Sequence, residues 1–350
     1  MTNFIKNTWY TAGWSSEIGA KPAHRKIIGE HVVLYRGESG NLIALEDKCP
    51  HRFAPLHKGK IIGDLIECPY HGLRFGDNGK CVYNPFDPNF SPPNATVKTY
   101  SVVEKDTLIW IWMGEEPLAS PEDIPDYHWL NETDKYAMTS EGMIEMPVNY
   151  ELIIDNLLDL SHGQFLHPTT LGNTAMAGGT TDSRKEGNTV HSDRLNYDGY
   201  MPTLFNNNGV IPNETKVDYW NDLRWDPAGS YYLEVGITPA GEPREKGVYI
   251  GSAQLLTPID EATTAYRFIL FRTFMKDSEE LTRGIEALVM KAFVEEDEPM
   301  IADVQKRMNG KDFWSLRPAI LEGDRAAIFA RRILEKLARD EENSQGECLD

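Results

Sequence analysis

Hydrophobic and polar positions divide this 350-residue chain into a strand-like first third and a mixed remainder. In residues 1–115 the apolar runs are short and bounded by turn residues. "HVVLYRG" and "LIALED" flank "ESGN", and "TLIWIWMG" follows later, a pattern of β segments. "GDNGK" and "NPFDPNFSPP" punctuate at hairpin intervals. The Pro-rich acidic stretch "GEEPLASPEDIPDYHW" marks a boundary, so domains are expected at 1–115 and 116–350. The second carries the strands "YYLEVGIT", "GVYIGSAQLLTP" and "TAYRFILFRTF" and a helical segment near 150–166. Helices are expected again over about 278–308 and 321–341, by apolar periodicity. The pattern predicts an α+β protein whose first domain is all β.

Composition narrows this little. A hydrophobic share of 41% and a charged share of 25% are those of a soluble globular protein. No run approaches the roughly 20 apolar residues of a membrane span, and "MTNFIKNTWY" lacks the order of a signal peptide. A cytoplasmic protein without a membrane partner is expected. The net charge of −19 opposes nucleic-acid binding, which needs clustered Lys and Arg.

Chemistry enters with "CPHRFAPLHKGKIIGDLIECPYH", residues 49–71. A zinc finger pairs Cys with Cys and His with His. Here each short loop offers one Cys and one His instead. Unlike irons explain that: in a Rieske [2Fe–2S] centre two Cys hold one iron and two His the other. Cys49, His51, Cys68 and His71 are the expected ligands, with zinc the competing reading. Cys81 and Cys348 read as ordinary thiols of a reducing compartment.

A second set lies in "NYELIIDNLLDLSHGQFLH", residues 149–167, which holds Asp155, Asn156, Asp159, His162 and His167. Asp159 and His162 are i and i+3, on one face of a helix. His162 and His167 lie roughly 140° apart on a regular helix, so regularity must end between them to bring both to one ion. Pro168 pushes His167 out of helical geometry. Two imidazoles and a carboxylate form the non-haem Fe(II) site of oxygenases. Two His merely satisfied by hydrogen bonds are the alternative, weakened because a cluster needs an electron acceptor.

"MKAFVEEDEPMIADV" offers the carboxylate. At 100° per residue, Met290, Phe293, Val294, Met300, Ile301 and Val304 share an apolar sector about 120° wide. Asp297 projects into its middle, and Glu295, Glu296 and Glu298 fall outside. A carboxylate on a buried face must be paired or bind metal. Asp297 is therefore the expected ligand and Glu296 dispensable, with Pro299 able to kink the helix.

With these residues in view, the chain resembles the oxygenase component of Rieske non-haem iron aromatic oxygenases. It is most similar to the O-demethylase group that includes vanillate demethylase and dicamba monooxygenase, through "CPHRFAPL", "CPYHGL", "NLLDLSHGQFLH", "WNDLRW" and "VEED". The resemblance implies a catalytic domain with a curved antiparallel sheet around a long helix, a helix-grip or START-like fold. It implies a [2Fe–2S] cluster, mononuclear Fe(II), an aromatic substrate and O₂. Electrons would come from NAD(P)H through a reductase, with or without a ferredoxin. It also implies a homotrimer in which Asp159 bridges His71 of one subunit and His162 of the next, with Asn156 beside the iron. Asn221 matches a position that binds the substrate's polar group. Gln254 and Leu288 stand where the dicamba enzyme uses His and Trp, which makes dicamba itself an unexpected substrate. The activity implied is hydroxylation or O-demethylation of a substituted aromatic acid. The alternatives are methyl- or ring-carbon hydroxylation without demethylation, or a Rieske electron carrier.

Overall fold

The computed structural model describes residues 4–172 and 179–347, so Cys348 lies outside the described residues. The chain forms two compact units, 4–126 with 257–260, and 127–256 with 261–347. The Pro-rich stretch is expected to end the first domain at residue 115. Its first part instead folds with the first unit, where Ser120 O accepts from Trp9 Nε1 at 2.8 Å and Ile124 O from Lys105 Nζ at 2.9 Å.

The first unit is all β. Trp9–Trp14, Leu108–Trp112 and Val102–Lys105 form one sheet, and Ala23–Ile27, Glu30–Arg36 and Leu42–Glu46 a second. Four short strands, Lys60–Ile62, Leu65–Glu67, Arg74–Phe75 and Cys81–Tyr83, form the third. Val33, Tyr35, Ile43, Leu45, Leu56, Ile66 and Phe75 make a core that also takes in Cys49 and Cys68.

In the second unit an eight-stranded sheet carries the helices. Its strands are β1 (Ala137–Met138), β2 (Gly142–Met146), β3 (Thr180–Glu186), β4 (Thr189–Gly199), β5 (Val217–Asp226), β6 (Ser230–Pro239), β7 (Val248–Asp260) and β8 (Thr263–Arg272). β3 to β8 run in chain order, and β1 and β2 both pair with β8. One face gathers Ser192 and Arg194 of β4, Asn221 and Leu223 of β5, and Leu233 of β6 with its register partner Ser252 of β7.

The helices are α1 (Tyr150–Leu158), α2 (Gly163–Leu166), α3 (Glu279–Lys291), α4 (Glu298–Met308) and α5 (Arg325–Glu347). Asn149 starts α1 by accepting from Glu151 N at 2.9 Å, and Tyr150, Leu152, Ile153, Ile154, Leu157 and Leu158 are its buried side chains. Ser278 caps α3 through Leu281 N, with Glu279 and Glu280 in the first turn favoured by the helix dipole. No helix among the described residues is long and apolar enough to cross a membrane.

α5 is tied to α1 by one buried cation. Arg331 gives Nη1 to Glu151 at 2.7 Å, and Nε and Nη2 to Asp155 at 2.9 and 2.6 Å, with its guanidinium over Phe313. Burial pushes both carboxyls above their ordinary range, against the pull of Arg331. Removing one partner of a buried ion pair leaves the others uncompensated. Arg331→Met is expected to lower stability by about 3–5 kcal/mol in urea unfolding. A further Asp155→Asn and Glu151→Gln exchange should recover part of the loss.

Candidate metal centres and active site

The two loops of the first unit share one hydrogen-bond plan. Cys49 N donates to Ala54 O and Phe53 N to Cys49 O, at 2.9 and 2.8 Å. Cys68 N donates to Leu73 O and Gly72 N to Cys68 O, at 2.8 and 3.1 Å. Each loop closes through a left-handed residue, Phe53 at φ 59° and Gly72 at φ 72°. The cysteines end up buried and unbridged, while His51 is exposed and His71 half-buried. The two imidazoles stand 4.5 Å apart at 63°.

This donor set fits a two-iron cluster. The Cys49 thiol is pushed up to about 11, chiefly by burial and also by the adjoining Cys68 sulfur, so paired thiolates here call for a cation. A tetrahedral ion would draw all four ligands around itself. Yet among the described residues no three of these four bring ligand atoms within 4.8 Å of one another. Sulfurs on one side and nitrogens on the other suit unlike irons better than zinc.

In the second unit His162, His167 and Asp297 do converge, with ligand atoms all within 4.8 Å. His167 Nε2 lies 3.2 Å and His162 Nε2 3.6 Å from Asp297 Oδ1, and the rings meet edge to face at 5.1 Å. Asn156 Nδ2 donates to the same Oδ1 at 3.1 Å. Both imidazoles are set for ligation. His162 Nδ1 donates to the Asp159 carbonyl at 2.7 Å, and His167 Nδ1 to Glu296 Oε2 at 2.6 Å. Nδ1 donates in each ring, so Nε2, the nitrogen that faces Asp297, is the atom each ring could offer to a metal on losing any proton there.

The route to this arrangement differs from the sequence expectation in three ways. First, the helix breaks at Asp159 (φ −121°, ψ 88°), earlier than the expected break between the histidines, and Asp159 and His162 share no helical face. Asp159 starts the next turn instead: its Oδ1 accepts from Ser161 N at 3.0 Å and its Oδ2 from Ser161 Oγ at 2.9 Å. The Asp159 carbonyl, not its carboxylate, therefore meets His162 in the same chain. His167, before Pro168, is non-helical as expected, at φ −114° and ψ 42°.

Second, the apolar sector is wrong. Residues Ala292–Asp297 form a π turn between α3 and α4, so a constant 100° per residue fails there. Ile285, Val289, Ala292, Phe293 and Ile301 are buried, while Met290, Val294, Met300 and Val304 are exposed. Asp297 is nevertheless buried, and Pro299 sits harmlessly in the first turn of α4.

Third, Glu296 does not point away. Its Oε2 also accepts from Thr170 Oγ1 at 2.5 Å. Burial would raise the Glu296 carboxyl, but the Thr170 and His167 hydrogen bonds hold it low. Burial disfavours protonated His167, and its contacts with Asp297 and then Glu296 outweigh that. The only sequence signal for Glu296 was its place beside a buried Asp.

Of the expected substrate contacts, Asn221 is buried, takes a 2.9 Å hydrogen bond from Tyr219 Oη on Oδ1, and has no partner for Nδ2 among the described residues. It lines a cavity of about 10 Å³ with Asp159, Ser192 and Arg194. Gln254 is already engaged, donating to Ser252 Oγ at 3.1 Å and accepting from Tyr266 Oη. Leu288 is half-buried on α3. Cys81 packs in the first unit's core and gives its thiol to Tyr83 O.

Comparison with known proteins agrees with both halves. Residues 8–101 match the Rieske [2Fe-2S] domain, and residues 146–340 the Vanillate O-demethylase oxygenase C-terminal domain. The chain belongs to the Rieske oxygenases of the vanillate O-demethylase family. It is 36% identical over 334 residues, 95% of each chain, to the oxygenase component of chloroacetanilide N-alkylformylase from Rhizorhabdus wittichii. It is 39% identical to the iron–sulfur subunit of a toluene-4-sulfonate monooxygenase system from Comamonas testosteroni, over 87% of this chain and 88% of that one. A crystal structure of dicamba monooxygenase bound to 3,6-dichlorosalicylic acid superposes with a TM-score of 0.90 at 33% identity, covering 97% and 98% of the two chains.

This Rieske oxygenase is thus the terminal oxygenase component of a monooxygenase system, and its cofactors are a [2Fe–2S] cluster and a mononuclear iron. A plain electron carrier is set aside, because the catalytic domain is present. The matched loops make a prediction. Gly72→Ala places a Cβ at positive φ, 3.4 Å from Pro85 Cγ, at a cost of about 1–2 kcal/mol. Visible absorbance of the cluster should melt at lower temperature in that variant, whereas Phe53→Gly should melt no lower than the parent.

Proposed function

We propose that this oxygenase acts on a substituted aromatic acid and removes a methyl group from an aryl methyl ether. His162, His167 and Asp297 would hold the mononuclear iron, and Cys49, His51, Cys68 and His71 the cluster. The observation that carries the first assignment is three ligand atoms meeting within 4.8 Å, with both Nδ1 atoms already committed to acceptors. Iron bound there supplies O₂ activation, using electrons that arrive by way of the cluster.

The chain's own residues do the positioning. Asn156 steadies the Asp297 carboxylate. The unused Nδ2 of Asn221 is a donor for the substrate's polar group, and Arg194, its register partner on β4, favours an anionic one. Asp159, whose two oxygens are fixed by Ser161, keeps acceptor capacity for an imidazole from an adjoining copy. That supports the homotrimer, with Asp159 receiving His71 of the neighbour. Reductase, with or without ferredoxin, supplies two electrons per turnover. One oxygen atom enters the methyl carbon and the other leaves as water, and the hemiacetal formed expels formaldehyde to leave a phenol.

Formaldehyde release over a panel of methoxybenzoates, with a reductase, NAD(P)H and O₂, tests this. At least one member should give equimolar formaldehyde and phenol. Hydroxylated products without formaldehyde across methyl- and methoxy-substituted acids would favour the methyl- or ring-hydroxylase alternative. Asp297→Ala should abolish turnover and mononuclear iron while the cluster spectrum persists. Asn221→Ala should weaken binding of the active substrate by about 1–3 kcal/mol, the cost of an unpaired buried polar group, with iron content unchanged. Unaltered affinity would leave Asn221 a structural residue.

A further inference from the structure

We infer that Glu296 is a positioning residue for His167, and that the π turn serves to place it. The inference rests on the assignment of His162, His167 and Asp297 as a metal site, and adds a division of labour within it. Consecutive residues of one turn reach opposite nitrogens of a single ring: Glu296 Oε2 is 2.6 Å from Nδ1, and Asp297 Oδ1 is 3.2 Å from Nε2. Neighbouring side chains on a regular α-helix diverge by about 100°, and the turn here is widened over Ala292–Asp297. Such π turns recur at functional sites.

The acceptor is itself held. Glu296 Oε2 takes the Thr170 hydroxyl at 2.5 Å as well as the imidazole N–H, so two donors from the segment around Pro168 fix one oxygen. A carboxylate on the far nitrogen of a ligating His fixes its tautomer and orientation and makes the near nitrogen more basic. The bland alternative is an ion pair that only braces the segment after α2 against the helix. Against that stands the difference between the two rings. His162 gives its Nδ1 proton to a neutral carbonyl, of Asp159, and His167 gives its proton to a charged carboxylate. His167 is therefore the stronger donor of the pair, and Glu296 the residue that makes it so.

Cobalt(II) loaded into full-length protein depleted of mononuclear iron separates these readings. The parent should bind cobalt and show two hyperfine-shifted ring N–H signals in proton NMR, one per histidine. Glu296→Ala should bind cobalt roughly 10- to 100-fold more weakly and lose one of those signals to solvent exchange. Glu296→Gln keeps an acceptor without the charge, so it should retain both signals with a smaller loss of affinity. Thr170→Val should fall between the parent and Glu296→Ala. Cluster absorbance confirms that each variant is folded. Parental affinity and both signals in Glu296→Ala would overturn the inference alone. A parent that takes up no cobalt, or Asp297→Ala that takes it up equally, would overturn the metal-site assignment and this inference with it.

Discussion

Burying a charge is costly unless a partner of opposite sign, or a proton, is placed against it. The catalytic unit is arranged around two such burials and one buried neutral amide. Asp297 is enclosed on the buried side of the α3–α4 segment and receives Asn156 on the oxygen that also faces both imidazoles. Arg331 answers Glu151 and Asp155 on the outer side of α1. Asn221 keeps a donor in reserve under the sheet. α1 links the two charged sites, because Asn156 and Asp155 are adjacent and so project to different neighbours. One short helix thereby serves the proposed metal site with one residue and the scaffold with the next.

The first unit meets the same constraint with a different device. Two buried thiols lie together at the bottom of two loops, and two imidazoles sit further out. The loops differ in ligand spacing, yet their backbones repeat the same pair of hydrogen bonds. The backbone fixes where each cysteine sits, and the spacing only decides how far along each loop the imidazole stands. A Cys-x-His loop and a Cys-x-x-His loop can thus present equivalent donors.

Much of this was legible in the sequence where local chemistry decides. Cys49, His51, Cys68 and His71, proposed to hold the cluster, follow from one Cys and one His per loop, and the strand-rich first unit from turn spacing. His162, His167 and Asp297 do come together as expected, but by a different route. The angular argument for Asp297 counted Met300 and Val304 as buried, and they are exposed. Asp297 is nonetheless buried and faces both imidazoles. Glu296 was missed for the same cause: a fixed helical period has no place for two adjacent residues serving one ring. The chain breaks at Asp159, ahead of Pro168, because the Ser161 amide and hydroxyl bind the Asp159 carboxylate and turn it earlier.

The carboxylate of Asp159 also has a distant neighbour. A Cβ on Gly323 would stand 3.2 and 3.3 Å from its two oxygens, so only glycine leaves that carboxylate undisturbed. Beyond Gly323 lies Arg331, which closes the outer side of α1. Both contacts come from the last tenth of the chain, whereas the residues they settle come before its midpoint. During vectorial synthesis α1 therefore emerges with its acidic side unanswered, and stays so until α5 is made. Glu151 waits 180 residues, and Asp155 176, for the guanidinium that compensates them.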